Sequence, residues 1–211
     1  MTTWRYLQLA DSAFPTGGFA HSAGLEAAAQ AGEIRDLAAF TRAALWQAGW
    51  GALPLVREAW RDPGSLPRLD ARADVFLANH VANRASRTQG SAFSATCARV
   101  FPDEAPRLPE GLCMHLGPLW GVTFRALRMP LEDAVRLFLW STARGVLSAG
   151  VRLGLAGTYE AQRMLAELGP ALDAVVDRCG TLGVDDLAHP APLLDLLHAT
   201  HDRLHSRLFQ S

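Results

Sequence analysis

Apolar residues along this chain of 211 recur at three- and four-residue intervals, and nowhere do they alternate with polar ones over the length of a strand. No Asn-Gly or Asp-Gly turn separates two apolar runs, so hairpins are not expected. The pattern predicts an all-α fold: one domain over residues 1–211, a helical bundle of about eight to ten helices. Helix punctuation is frequent. Asp36 is placed to cap Leu37 onward, Pro63-Gly64 to stop a helix carrying Trp60, and Asp70 to cap a run through Val81. Pro130 suits a first helical position, with Glu132 and Asp133 in the first turn where the helix dipole favours negative charge.

The longest predicted helix runs from Leu131 to Leu153. Its early half carries Leu131, Val135, Phe138 and Leu139; its later half turns to Ser141, Thr142, Ala143, Gly145, Ser148, Ala149 and Gly150. Small residues let backbones approach, so the later half is expected at the crowded centre of the bundle. Gly154 and Gly157 interrupt it. Thr158 is placed to cap a following helix that ends near Gly169-Pro170, and the proline-rich stretch from Pro102 to Pro118 reads as a loop.

One segment departs from simple periodicity. Phe14-Pro15-Thr16-Gly17-Gly18-Phe19-Ala20-His21-Ser22-Ala23-Gly24-Leu25-Glu26 combines a fixed φ at Pro15 with two glycines free to take positive φ, followed by a predicted helix start. A bend of this kind before a helix leaves N–H groups unpaired. Three physical readings follow: an anion nest, a protein-docking elbow or a plain turn.

Composition narrows these choices. The formal net charge of −1 provides no basic field for nucleic acid, and every one of the twenty Lys+Arg positions is arginine. Without lysine, neither a Walker A phosphate loop nor Schiff-base chemistry is available. Charged residues make up only 19% of a chain that is 49% hydrophobic, which points to apolar surface covered by another chain. Cys97, Cys113 and Cys179 are odd in number and far apart, suggesting neither a zinc ribbon nor a disulfide framework. The opening Met1-Thr2-Thr3-Trp4-Arg5-Tyr6 lacks a basic region leading into an apolar one, and no apolar run is long enough to span a bilayer; a cytoplasmic location with no membrane partner is expected.

Candidate chemistry is sparse. His198, His201 and His205 fall at i, i+3 and i+7, so on one helix they would face the same way and offer neutral imidazoles to nickel or zinc. This is the basis of an alternative function, a helical metalloprotein or metal-dependent enzyme; no Glu follows the first histidine as in a His-Glu-x-x-His protease, and a solvated helix accounts for the run equally. Asp185-Asp186 near His189 reads as a capping turn, and Arg84 and Arg87 as a solvated face. Arg152, following the small-residue half of the long helix, is expected to pair with a carboxylate or with helix-terminal carbonyls. No nucleophile elbow is present and no Cys/His pairing has local support, so the residues read as a helical interaction protein rather than an enzyme.

Three separated stretches nevertheless carry a resemblance. Pro15, Gly17, Gly18, Phe19, His21, Ser22, Gly24, Leu25 and Glu26; Ser148-Ala149-Gly150-Val151-Arg152-Leu153 with Gly157 and Gln162; and Ser206-Arg207-Leu208-Phe209-Gln210-Ser211 together resemble the urease accessory protein F family. Leu155, Thr158, His205 and Gln210 depart from its usual residues. The resemblance implies a non-enzymatic, cofactor-free urease maturation factor that serves as a scaffold for nickel insertion. Its implied partners are a second copy in a homodimer, urease accessory protein D (or H), the nickel-carrying GTPase called accessory protein G, and apo-urease. It further implies that the tail, about 204–211, is a docking segment, and that Pro15, Gly17, Gly18, Phe19, His21, Ser22, Glu26, Arg152, Gln162, Ser206, Arg207, Leu208 and Phe209 bind or position partners.

Overall fold

The computed structural model describes residues 2–211; Met1, part of the opening weighed above as a leader, lies outside them. Among the described residues the chain is all-helical. Its α-helices are α1 (Thr3–Ala10), α2 (Leu25–Gln30), α3 (Leu37–Gly51), α4 (Leu53–Arg61), α5 (Leu66–Phe76), α6 (His80–Val100), α7 (Leu116–Ala126), α8 (Leu131–Arg152), α9 (Thr158–Glu167), α10 (Gly169–Cys179) and α11 (Pro192–Ala199), with short 3-10 turns between several of them. No helix among them is long and apolar enough to cross a membrane.

The bundle is organised around α7, which is buried continuously from Gly117 to Phe124. A helix buried all round must be apolar all round, and Leu116-Gly-Pro-Leu-Trp-Gly-Val-Thr-Phe meets that requirement. Trp120 sits at its centre, stacked on Phe93 of α6 at 4.9 Å between centroids and edge-on to Phe124 and Phe138 at 4.7 and 5.4 Å. Its indole N–H donates to the Ala134 carbonyl at 2.9 Å, so the polar end of the ring is satisfied inside the core. The closest helix approach is between α7 and α4: a Cβ on Gly121 would lie 2.2 Å from the Val56 carbonyl oxygen, so only glycine fits.

That approach corrects one expectation. The small-residue half of α8 is only in part a tight crossing: Gly150 lies against Leu37, whose Cδ2 a Cβ would meet at 2.6 Å, whereas a Cβ on Gly145 would meet nothing within 4 Å. Ser141, Thr142 and Gly145 instead border a cavity of about 300 Å³ between α3, α8 and the elbow. Asp70 is also not a cap. It lies inside α5, 1% exposed, while Asn79 caps α6 through Val81 and Ala82. Asp36 does cap α3, accepting from the Ala38 and Ala39 amides at 2.8 and 3.1 Å. Pro130 is the N-cap of α8 rather than its first helical residue, and the N-cap of α9 is Gly157, one residue before the expected Thr158, with Glu160 accepting from the Gly157 amide.

Candidate functional site

The sequence from Phe14 to Glu26 folds as two reversals. Phe14 is buried against Phe101, the Pro15 carbonyl accepts from the Thr96 hydroxyl at 2.7 Å, and Gly17 takes φ 76°. A Cβ on Gly17 would lie 3.1 Å from that of Ala92, so glycine serves both the turn and the close approach to α6. A 3-10 turn, Gly18–Ala20, follows, and then a second reversal in which Ala23 and Gly24 have φ 54° and 84°. Thus α2 begins at Leu25, later than a single bend would place it. Its first turn carries Glu26, 2% exposed.

A buried carboxylate surrounded by Leu25, Ala27 and Ala28 needs partners, and the other end of the chain supplies them. The Leu208 amide donates to Glu26 Oε1 at 2.6 Å, the Phe209 amide to Oε2 at 3.2 Å, and His201 Nε2 lies 2.9 Å from Oε2. Beside this anchor, Ser22 donates from its amide and its hydroxyl to the main-chain oxygen of Ser211, at 2.6 and 2.8 Å. His21 Nδ1 meets the Ser211 hydroxyl at 2.7 Å, the Gln210 amide donates to the Ala20 carbonyl at 2.8 Å, and Gln30 donates to the Ser206 carbonyl at 2.9 Å. Residues 204–211 are thereby clasped onto the elbow rather than projecting from the bundle.

Arg152 closes the clasp from α8. Its guanidinium lies between the rings of Phe19 and Phe209, 3.8 and 4.1 Å from their centroids, and donates to the Phe19 carbonyl at 2.5 Å. The expected carbonyl partner is therefore present, but it belongs to the 3-10 turn of the elbow, not to a helix end. Phe209 is buried and Phe19 is 72% exposed, so the stack carries an arginine and an aromatic face out to the surface beside exposed Arg207 and Leu208. On the far side, Asp202 receives both terminal nitrogens of Arg84 at 3.0 and 2.7 Å and lies within 3.3 Å of His80 and Arg207. The paired Arg84 guanidinium holds the Asp202 carboxyl below its usual range.

The histidine run does not form one face. His198 ends in α11, His201 opens a 3-10 turn and is committed to Glu26, and His205 is exposed beyond it. Among the described residues no group of three metal-ligating side chains includes any of them. Burial pushes the imidazoles of His21 and His198 down to about 4, with the positive charge of Arg84 and the neighbouring His201 acting in the same direction, so both are neutral at ordinary pH. Gln162 is exposed on α9 and makes none of the clasp's hydrogen bonds. His189 is drawn away from Asp185-Asp186 into a pair with Asp195 at 2.7 Å, stacked on Phe76; Asp186 bonds to the Gly183 amide as a capping turn.

Sequence reasoning reached both halves of the clasp but not their contact. The sign that a contact was needed was present: Glu26 is a lone acid within Leu25-Glu26-Ala27-Ala28-Ala29. His201, Gln30 and Ser211 are partners that only the tertiary contact identifies.

Comparison with known proteins places this arrangement in context. A family model described as UreF matches residues 33–169. Urease accessory protein F of Arabidopsis thaliana is 34% identical over 99% of this chain and 92% of its own length. The UreF proteins of Paracoccus denitrificans and Mesorhizobium japonicum are 36% and 32% identical, covering 98% and 94% of this chain and 95% and 92% of theirs. The elbow and the tail lie outside the family-model match, with Arg152 inside it, and the similarity to the relatives runs over nearly the whole chain.

Proposed function

The chain belongs to the urease accessory protein F family, and from that membership we propose that it is a urease maturation factor, a scaffold in nickel insertion that works by docking. The observation that carries this reading is similarity over nearly the whole chain, elbow and tail included, to proteins named as urease accessory factors.

The docking partners are urease accessory protein D/H and the GTPase accessory protein G, acting with a second copy of this chain on apo-urease in the cytoplasm. The clasp presents an arginine stacked between aromatic rings next to Arg207 and Leu208, and arginine and aromatic side chains are enriched where interfaces hold most of their binding energy. Pro15, Gly17 and Gly18 shape this surface; His21, Ser22, Glu26 and Ser206 hold the tail in register; Phe19, Arg152, Arg207 and Leu208 meet the partner. Gln162, on α9, lies outside this surface. A scaffold of this kind biases the GTPase only by its differential affinity for the two nucleotide states. The alternative, a metalloprotein built on His198, His201 and His205, has no converging donor set to support it.

The test is capture of purified D/H and G proteins by the full chain, by a chain ending at Leu204 and by Leu208→Asp. Loss of D/H capture by both altered forms is expected. Undiminished capture by both would overturn the docking role of the tail, and unchanged urease activation in cells lacking this protein would overturn the maturation role itself.

A further inference from the structure

A second polar cluster lies away from the clasp, where the loop before α7 meets α5 and α6. Asp70 organises it: its Oδ2 accepts from the Cys113 and Met114 amides at 2.5 and 3.2 Å, and its Oδ1 from the His115 amide at 2.8 Å. Three successive amides converge on one buried carboxylate, and Met114 is held at φ 74°, a conformation that non-glycine residues seldom adopt. Gly90 of α6 makes room for the loop, since a Cβ there would lie 2.0 Å from the Met114 carbonyl oxygen. The backbone of residues 113–115 is therefore fixed from two sides.

This clamp brings unlike donors together. Asp74, one turn along α5 from Asp70, offers a carboxylate oxygen; Cys113 offers its sulfur; His115 offers an imidazole nitrogen; and these three atoms all lie within 4.8 Å of one another. His115 is fully buried, with Nδ1 3.1 Å from the Ser86 hydroxyl and Nε2 3.1 Å from Asp74 Oδ1. His115 Nε2 and Asp74 Oδ1 are a hydrogen-bonded pair, and two tetrahedral ligands at about 2.0–2.2 Å from one ion stand only a few tenths of an ångström farther apart, so an ion replaces the bridging proton with little movement of either side chain. Asn83 donates to the same Asp74 oxygen at 3.0 Å, fixing the carboxylate, and the Ser86 hydroxyl fixes the ring. Among the described residues this is the one group of three with metal-ligand chemistry. Asp74 and Cys113 both border an open groove of about 850 Å³, which gives an ion a path in and leaves a fourth coordination position to solvent or another ligand.

We propose that Asp74, Cys113 and His115 form a binding site for one divalent transition-metal ion of the zinc class, three-coordinated by the protein with the fourth position open. The ion binds His115 through Nε2, which places the ring proton on Nδ1 facing Ser86. It binds Cys113 as thiolate, so one proton passes from the sulfur to solvent for each ion bound. Neither step changes an oxidation state. The three ligands are none of the docking residues of the clasp, although the groove is also bordered by His80 and Arg84, which pair with Asp202; presence or absence of the ion leaves the docking reading intact.

Cobalt(II) titrated into the purified full chain is the direct probe, because a cysteine thiolate bound to cobalt gives a near-ultraviolet charge-transfer band that imidazole and carboxylate ligands do not. The expected result is one equivalent of cobalt with this band, release of one proton, and displacement by zinc. Cys113→Ser should abolish the band, and Asp74→Asn should weaken binding by more than the about 10–100-fold that loss of an outer hydrogen-bond partner costs. His205→Ala should leave both unchanged. Circular dichroism checks that each variant is folded; Asp74 is partly exposed, so its variant decides the matter if Cys113→Ser does not fold. Absence of the band in the unaltered chain, its persistence in Cys113→Ser, or unchanged affinity in Asp74→Asn would overturn the proposal.

Discussion

The α7 core and the elbow–tail clasp hold the same molecule together by opposite means. Around Trp120 the contacts are aromatic, contributed by α6, α7 and α8, with one indole hydrogen bond to a helix carbonyl. In the clasp, residues nearly two hundred positions apart are joined by a buried carboxylate, two histidines, two serines and main-chain amides. Apolar packing is non-directional and tolerates small displacements. A buried polar network depends on its partners, because a donor or acceptor left without one, as His21 Nε2 and His201 Nδ1 are here, loses the hydrogen bonds it made with water. The core is therefore expected to set global stability, and the clasp to open as a local unit without unfolding the bundle.

The largest expected effect tests the core. Trp120→Ala should lower global stability by about 3–5 kcal/mol, seen as a fall in the urea midpoint, because it removes three ring contacts and leaves a cavity. Glu26→Ala should cost about 3 kcal/mol, because it leaves the Leu208 and Phe209 amides and His201 without their buried acceptor, and one such unpaired group costs about 1–3 kcal/mol. Hydrogen exchange would locate that loss: the Leu208, Phe209 and Gln210 amides should lose protection while α7 keeps its own. Loss of protection throughout α7 in the same variant would show that clasp and core form one cooperative unit and break the comparison.

Acid should act on the clasp next. With folded-state values of about 4 for His21 and His198 against an ordinary 6.5, the unfolded or opened form takes up protons first. Their stabilising contribution is complete above about pH 6.5 and is lost as pH falls toward about 4. Tail amide protection corrected for intrinsic exchange should drop over that interval, and His21→Gln with His198→Gln should flatten the dependence. The smallest effect is that of Arg152→Lys, about 1 kcal/mol, since an ammonium keeps the charge but loses the planar stack between Phe19 and Phe209. It should raise tail exchange and weaken partner capture, leaving the urea midpoint almost unmoved.

How far each region was legible follows from the range of the interactions that build it. Helices α3 and α8 are written locally, in the Asp36 cap and in the Pro130, Glu132 and Asp133 start, and both occur where those signals stand. Asp70 misled because an acid before an apolar run has the local form of an N-cap; its actual role, accepting three amides from residues 113–115, depends on a chain segment more than forty positions away. The small residues of α8 predict closeness without naming the neighbour, and one of them, Gly145, borders a cavity instead. The histidine run assumed one continuous helix, whereas α11 stops at Ala199 and His201 turns inward to Glu26.

By itself, then, the sequence determined that the chain is helical, that it lacks lysine chemistry, and that its two ends and the end of α8 carry the marks of one family, because periodicity, composition and short motifs are local properties. Only the tertiary structure decided that the elbow and the tail form one site with Arg152 between them, and that Asp74, Cys113 and His115 meet. Those contacts depend on where a buried charge finds its partner, and a lone carboxylate such as Glu26 states the need for one without saying which part of the chain will supply it.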